Sequence, residues 1–234
     1  MGIFMGLIKD AKQIAKRDPA ARGVLGVILL YPGFHALVYH RIGHFFYRFK
    51  IYPIARWISQ VGRYFTGIEI HPGAKIGSGL FIDHGMGIVV GETAQIGDNC
   101  TIYHGVTLGG TGHQKGKRHP TIGNNVLIGA GAKLLGPFSV GDNALIGANA
   151  VVLSDIPAKA TVVGVPARVV RIDGMPISHA QELDHIVTAD PMEGEMCRLI
   201  RRVMEIEKKA GWEPNPDYLP KICDPDKYKD DETN

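Results

Sequence analysis

The chain has 234 residues, 45% of them hydrophobic and 21% charged, which fits an ordinary soluble protein with one core or one core and a small appendage. A net charge of +3 is too weak to argue for nucleic acid, although a small basic pocket for an anionic ligand would account for it. Three cysteines (Cys100, Cys197, Cys223) are odd in number and lack metal-ligand spacing, so free thiols in a reducing compartment are expected rather than a disulfide framework.

Residues 1–66 read as an N-terminal α-helical region. Met1 to Gly6 lacks a charged n-region and a cleavage site, so no secretory signal is expected. Residues 2–16 place Ile3, Phe4, Leu7, Ile8, Ala11, Ile14 and Ala15 on one helical face, suited to packing on the fold rather than to lying on a membrane. Arg17-Asp18-Pro19-Ala20 reads as a helix start, with Asp18 as N-cap and Pro19 at the first helical position. Helices follow at about 22–30, 33–48 and 53–66, the first two separated by Pro32-Gly33. The longest apolar run, Val24 to Tyr31, is far shorter than the ~18 residues a membrane span needs. A cytoplasmic protein is expected. His35, His40 and His44 lie at helical spacings of five and four and read as packed or solvated residues, not metal ligands.

From Ile70 to Val152 an aliphatic residue recurs about every six positions: 70, 76, 82, 88, then 90, 96, 102, 108, then 122, 128, 134, 140, 146, 152. A sustained period of about six is a hexapeptide-type repeat and predicts a parallel β-helix in residues 67–172, three short strands to a turn. The aliphatic side chains point inward. Corner residues such as Asp98-Asn99, Asn124-Asn125 and Asp142-Asn143 tolerate left-handed backbone and bond their own main chain. The period breaks twice: it slips between Ile88 and Val90, and about eight extra residues enter between Leu108 and Ile122. The inserted arm, residues 109–121, joins four glycines to Lys115, Lys117, Arg118, His113 and His119, as a movable anion-handling loop would. Residues 173–234 form a C-terminal extension with an amphipathic helix at about 190–211, suited to capping the prism or meeting a neighbouring subunit, and a charged tail.

Polar residues that the repeat does not need are Glu69, His71, Asp83, His84, Glu92, His104, Arg118 and His119. Stacked coils can bring a carboxylate to a histidine, and that pair is the minimal general base, since the carboxylate fixes the tautomer and stabilises the imidazolium.

The runs Gly67-Ile-Glu-Ile-His-Pro-Gly-Ala-Lys-Ile-Gly, Asp83-His84, Gly87-Ile-Val-Val-Gly-Glu-Thr-Ala, Val106-Thr-Leu-Gly-Gly-Thr-Gly, Arg118-His119-Pro120 and Gly164-Val-Pro-Ala-Arg168 closely resemble serine O-acetyltransferase. The resemblance reaches back through Arg17-Asp18-Pro19-Ala20 and Gly33-Phe34-His35-Ala36 to Arg41-Ile42-Gly43-His44. It implies a left-handed parallel β-helix behind N-terminal helices, in an enzyme that makes O-acetylserine from L-serine and acetyl-CoA for cysteine synthesis. His84 would be the general base, paired with Glu69, which stands where the family often has Asp. Asp18 and Asp83 would hold the substrate ammonium, and Arg118 with His119 its carboxylate. Acetyl-CoA would lie near Gly110, Thr111, Ala130 and Ala148, with Lys133 and Arg168 as partners for its phosphates. Transfer would be direct, with an oxyanion donor near Gly110 and no metal, and no cysteine lies in the matched motifs to carry an acyl group.

The resemblance also implies a homotrimer with sites between neighbouring prisms. The short N-terminal region leaves a hexamer open, and a chain ending Glu-Thr-Asn is expected to bind cysteine synthase weakly or not at all. Three other readings compete. An acetyltransferase of the same fold could act on a sugar or antibiotic hydroxyl, but a neutral acceptor needs no Asp18 or Arg118-His119. A zinc carbonic anhydrase of β-helix type could use His71, His84, His104, His113 and His119. A non-catalytic scaffold would leave the arm unexplained.

Overall fold

The structure, a computed structural model, describes residues 3–112, 115–176, 200 and 202–212. Four helices come first: α1 (Ile3–Arg17), α2 (Val24–Leu30), α3 (Pro32–Arg48) and α4 (Tyr52–Thr66). Their apolar faces bury Ala11, Ile14, Val27 and Phe34 against Phe81 of the following domain. Polar anchors fix the attachment. Buried Asp10 accepts from the Gly79 N–H at 2.7 Å, Arg41 donates to the Ile76 carbonyl at 2.7 Å, and Arg17 to the Gly79 and Cys100 carbonyls at 3.1 and 3.3 Å. At Gly33 a Cβ would stand 2.5 Å from the Ile82 carbonyl oxygen, so α3 can lie this close only with glycine there.

The expected helix start at Asp18 is not formed. Asp18 to Ala20 is a turn after α1, and α2 begins only at Val24. The Asp18 Oδ1 accepts from the Ala20 N–H at 2.8 Å, so the carboxylate caps a local turn two residues on rather than a helix. Position and chemistry of an N-cap and of this turn are alike in sequence, and the attachment of α1 through Arg17 decides between them.

The repeat folds as a parallel β-helix. The first coil is β1 (Glu69–Ile70), β2 (Lys75–Ile76) and β3 (Phe81–Asp83), and the second is β4 (Val89–Val90), β5 (Gln95–Ile96) and β6 (Thr101–Tyr103). The third is β7 (Thr107–Gly109), β8 (Thr121–Ile122) and β9 (Leu127–Ile128), and the fourth is β10 (Lys133–Leu135), β11 (Ser139–Val140) and β12 (Leu145–Ile146). β13 (Val151–Val152) opens a fifth. Strands stack into three sheets: a first of β1-β4-β7-β10-β13, a second of β2-β5-β8-β11, and a third of β3-β6-β9-β12. The third is extended by β14 (Ala160–Gly164), β15 (Ala167–Ile172) and β16 (Met175–Pro176), the last two antiparallel. All the periodic aliphatic positions point inward and none is more than 8% exposed. Each Leu or Ile contributes about 1.5–3 kcal/mol by burial, and the stacked column is the core.

Corner chemistry differs from expectation in one respect. Asn99, Asn125 and Asn143 do take left-handed backbone, with φ of 57°, 55° and 61°. The neighbouring side chains, however, bond the adjacent coil. Asp98 accepts from the Ser78 N–H, Asn124 from Asp98 and Asp142 from Asn124, at 2.7, 2.8 and 2.6 Å. Identical corners lie one above another, so the nearest unsatisfied N–H belongs to the next coil.

Register places both irregularities at corners. Val90 pairs with Leu108 eighteen positions on, whereas Ile70 pairs with Val90 at twenty and Ile96 with Ile122 at twenty-six. The slip seen at Ile88–Val90 is therefore taken up earlier. Residues 84–88 separate β3 from β4, whereas only 104–106 separate β6 from β7. Ile88 and Val90 are both buried, and a one-residue shift within a strand would turn such side chains outward, so the extra pair leaves at the corner. His84 sits on it, with φ 59°.

The chain divides into two compact units, 1–177 and 178–234. In the second, residues 200 and 202–209 are helical, with Val203 and Ile206 exposed. The expected first half of that helix and the tail beyond 212 lie outside the described residues, as does His113. Among the described residues no helix is long and apolar enough to cross a membrane.

Candidate active site

Two edges of the first sheet carry the unexplained polar residues. At one edge the chain passes from the third sheet to the first. Asp83 ends β3, and the exposed ring of His84 follows, its Nε2 3.8 Å from Asp83 Oδ1. His104, at the same corner one coil on, meets His84 edge to face at 5.9 Å. Asp18 arrives from the turn after α1. Its Oδ2 accepts from the Tyr31 hydroxyl at 2.6 Å. That bond, with burial and the charges of Asp18 and Asp83, pushes the Tyr31 phenol up to about 12. Tyr31 thus joins Asp18 and Asp83 in one acidic cluster. The sequence offered no signal for it, because the contact spans the turn and the start of α3.

The same corner continues along the prism as Ala130 and Ala148. Gly131 N–H bonds the His104 carbonyl at 2.9 Å and Asn149 N–H the Ala130 carbonyl at 2.8 Å. Beyond the two histidines this ridge bears only methyl side chains at those positions, which leaves the backbone open to a narrow chain.

At the opposite edge the chain passes from the first sheet to the second. Here lie His71 in the first coil, Glu92 and Thr93 in the second, and the arm in the third. Thr93 Oγ1 accepts from the N–H groups of Arg118 and His119 at 3.1 and 3.2 Å and lies 2.8 Å from His119 Nδ1. The Thr93 N–H also donates to that Nδ1, so the other ring nitrogen, Nε2, carries the proton in the neutral ring. Lys117 ties the arm down through the Thr93 carbonyl at 2.9 Å. His119 is 93% buried against Gly91, where a Cβ would fall 2.0 Å from the ring. Burial, with the Arg118 charge next, holds the His119 imidazole below its ordinary range; burial and Arg56 do the same for His71. Arg118 donates to Glu92 at 2.7 Å and packs over Gly110, where a Cβ would meet its Cγ at 3.0 Å. Thr111 lies exposed beside Gly110.

The structure therefore unites Asp18, Asp83 and His84 with Ala130 and Ala148 at one edge, and Arg118, His119, Gly110 and Thr111 at the other. One protomer does not bring the two groups together. Nor is the expected Glu69–His84 pair formed in the protomer. Glu69 is held by Arg56 at 3.3 Å and Arg63 at 3.1 Å, two cations seven residues apart on one face of α4. Lys133 spends donors on the Gly105 carbonyl, at the corner before β7, and on Thr107 at 3.2 Å. Arg168 is half-buried in β15, beside Val163 of β14. Among the described residues no group of three or more His, Cys, Asp or Glu is placed to hold a metal ion.

Residues 119–154 match the family model for bacterial transferase hexapeptide (six repeats). Serine acetyltransferase of Staphylococcus aureus (strain Mu50) is 53% identical over 210 residues, covering 90% of this chain and 96% of that one. The crystal structure of Neisseria gonorrhoeae serine acetyltransferase superposes with a TM-score of 0.71 at 43% identity, covering 79% of this chain and 70% of that chain. A serine acetyltransferase in complex with cysteine gives 0.72 at 44%, covering 74% and 67%. The shared solenoid and the identity along nine-tenths of the sequence place this chain in the serine acetyltransferase family.

Proposed function

We propose that the protein transfers the acetyl group of acetyl-CoA to the hydroxyl of L-serine, giving O-acetyl-L-serine and CoA. The observation that carries this reading, beside family membership, is the division of charge across the first sheet. Two carboxylates flank His84 at one edge and a guanidinium flanks His119 at the other. An amino-acid zwitterion needs both signs, whereas a sugar hydroxyl needs neither.

The two edges meet when prisms pack side by side, so we place the site between protomers of a homotrimer, one giving its acidic edge and the next its basic edge. Asp18 and Asp83 hold the serine ammonium, and Arg118 with His119 its carboxylate. His84 takes the proton from the hydroxyl oxygen as that oxygen attacks the thioester carbon. A C–O bond forms, the C–S bond breaks, and His84 returns the proton to the sulfur. A backbone N–H near Gly110 serves the oxyanion. Glu69, which Arg56 and Arg63 hold at 3.3 and 3.1 Å, is assigned as the carboxylate behind His84 on the family resemblance alone. The methyl ridge of Ala130 and Ala148 and the glycine floor at Gly110 suit the coenzyme arm, with Thr111 beside it. Lys133 and Arg168 supply cations toward its phosphates.

Thiol release from acetyl-CoA tests the reading. Serine should support it far above homoserine, a galactoside or no acceptor. A galactoside preferred over serine would move the enzyme to the sugar class.

A further inference from the structure

Behind Arg118 stands a short relay of side chains that the prism itself does not need. Glu92 Oε2 accepts from Arg118 Nη2 at 2.7 Å, and its Oε1 accepts from the Tyr47 hydroxyl at 3.0 Å. Tyr47 is in the last turns of α3, so the relay runs from the helical region to the arm across two coils. Its ring is itself held. It meets His71 at 5.9 Å and Tyr52 at 5.1 Å, and a Cβ on Gly73 would stand 3.0 Å from it. Arg118 and Glu92 are each about one-third exposed, with side-chain values of 33% and 34%.

An unsupported arginine on a glycine-bearing arm would sample many rotamers, and ordering so long a side chain on binding is entropically costly. A carboxylate fixed on both oxygens removes that freedom before substrate arrives. It also occupies only part of the guanidinium, which carries five N–H donors.

We infer that Glu92 and Tyr47 are positioning residues for the serine carboxylate: Tyr47 fixes Glu92, and Glu92 holds Arg118 in the orientation that grips the substrate. This rests on the assignment of Arg118 as carboxylate ligand. Burial and the bond to Glu92 keep the Tyr47 phenol protonated well beyond neutral pH. Burial pushes the Glu92 carboxyl up, yet the bonds from Tyr47 and Arg118 outweigh it and keep the group ionised. The relay is thus intact across the working range.

The test is steady-state kinetics of Tyr47→Phe and Glu92→Gln in the full chain, alone and combined with Arg118→Ala. Loss of an interaction made equally in ground and transition states raises KM at constant kcat, so Tyr47→Phe should raise the serine KM about 3–10-fold and Glu92→Gln about 10-fold or more. The acetyl-CoA KM should stay within about 2-fold. In the Arg118→Ala background both effects should vanish, because coupled residues are non-additive. Unchanged serine KM in the single variants, with Arg118→Ala impaired, overturns the relay alone. Equal changes in both KM values, or full additivity with Arg118→Ala, also overturn it by making the role structural. Arg118→Ala with a normal serine KM overturns the underlying assignment instead.

Discussion

The two edges of the first sheet are built from the same repeat and differ in almost everything else. The edge with His84 departs from regularity by two residues, which form an exposed corner with left-handed backbone. Its histidine is open and, among the described residues, meets Asp83 and the His104 ring. The opposite edge departs by eight residues, an arm whose return is stapled by Thr93, Glu92 and Lys117. Its histidine is buried on Gly91. An open base beside carboxylates suits proton transfer, and a packed imidazole beside a held guanidinium suits a fixed grip. The prism makes both from one sheet because insertions at corners leave the inward aliphatic columns in register.

The comparison can be broken first at the open edge. His84→Ala should lower turnover by roughly 10²–10⁴-fold while leaving the fold intact, the usual scale for loss of a general base. Kinetics on the folded variant check this, and near-normal turnover would remove His84 from the chemistry. A smaller effect sharpens the contrast in burial. Behind the basic edge, His40 lies fully buried near His44 and His71, with its Nδ1 unbonded. Burial, then the Arg41 charge, lowers it from 6.5 to about 3. Between those values the unfolded chain binds a proton that the folded chain refuses. Stability contributed by neutral His40 is complete above about pH 6.5 and is lost as pH falls toward 3. From pH 6.5 to 5 this one group should cost about 1.6 kcal/mol, approaching 1.36 kcal/mol per unit once the unfolded histidine is fully protonated. Urea unfolding of wild type and His40→Leu at both pH values measures it, and an equal pH dependence in the two proteins would contradict it.

Much of the fold was legible because each coil repeats one physical demand. Ile76, Ile96 and Ile122 must face inward whatever lies outside, so a period in the sequence becomes a column in space. The arm was legible as an interruption, and His84 as a polar residue the repeat does not require. Other features were not, because they depend on which segments become neighbours. Asp18 carries the local signature of an N-cap, and only the anchoring of Arg17 on the coils turns it toward Tyr31. The slip at Ile88 marked a break but not the corner that absorbs it. Glu69 looks free for His84 in sequence, yet α4 brings Arg56 and Arg63 to it. Tyr31, Tyr47 and Thr93 have no motif of their own, and their contacts span 13 to 45 positions.

The central claim is that each edge is half of a site completed by another copy. Complementation tests it most directly. His84→Ala and Arg118→Ala protomers, differently tagged and co-expressed, would be isolated as mixed assemblies and assayed for serine acetylation. In a closed ring of three, either mixed composition leaves one interface in three with an intact acidic edge facing an intact basic edge, so about a third of wild-type activity should return. Activity no greater than that of either variant alone would place the whole site within one protomer and contradict the account.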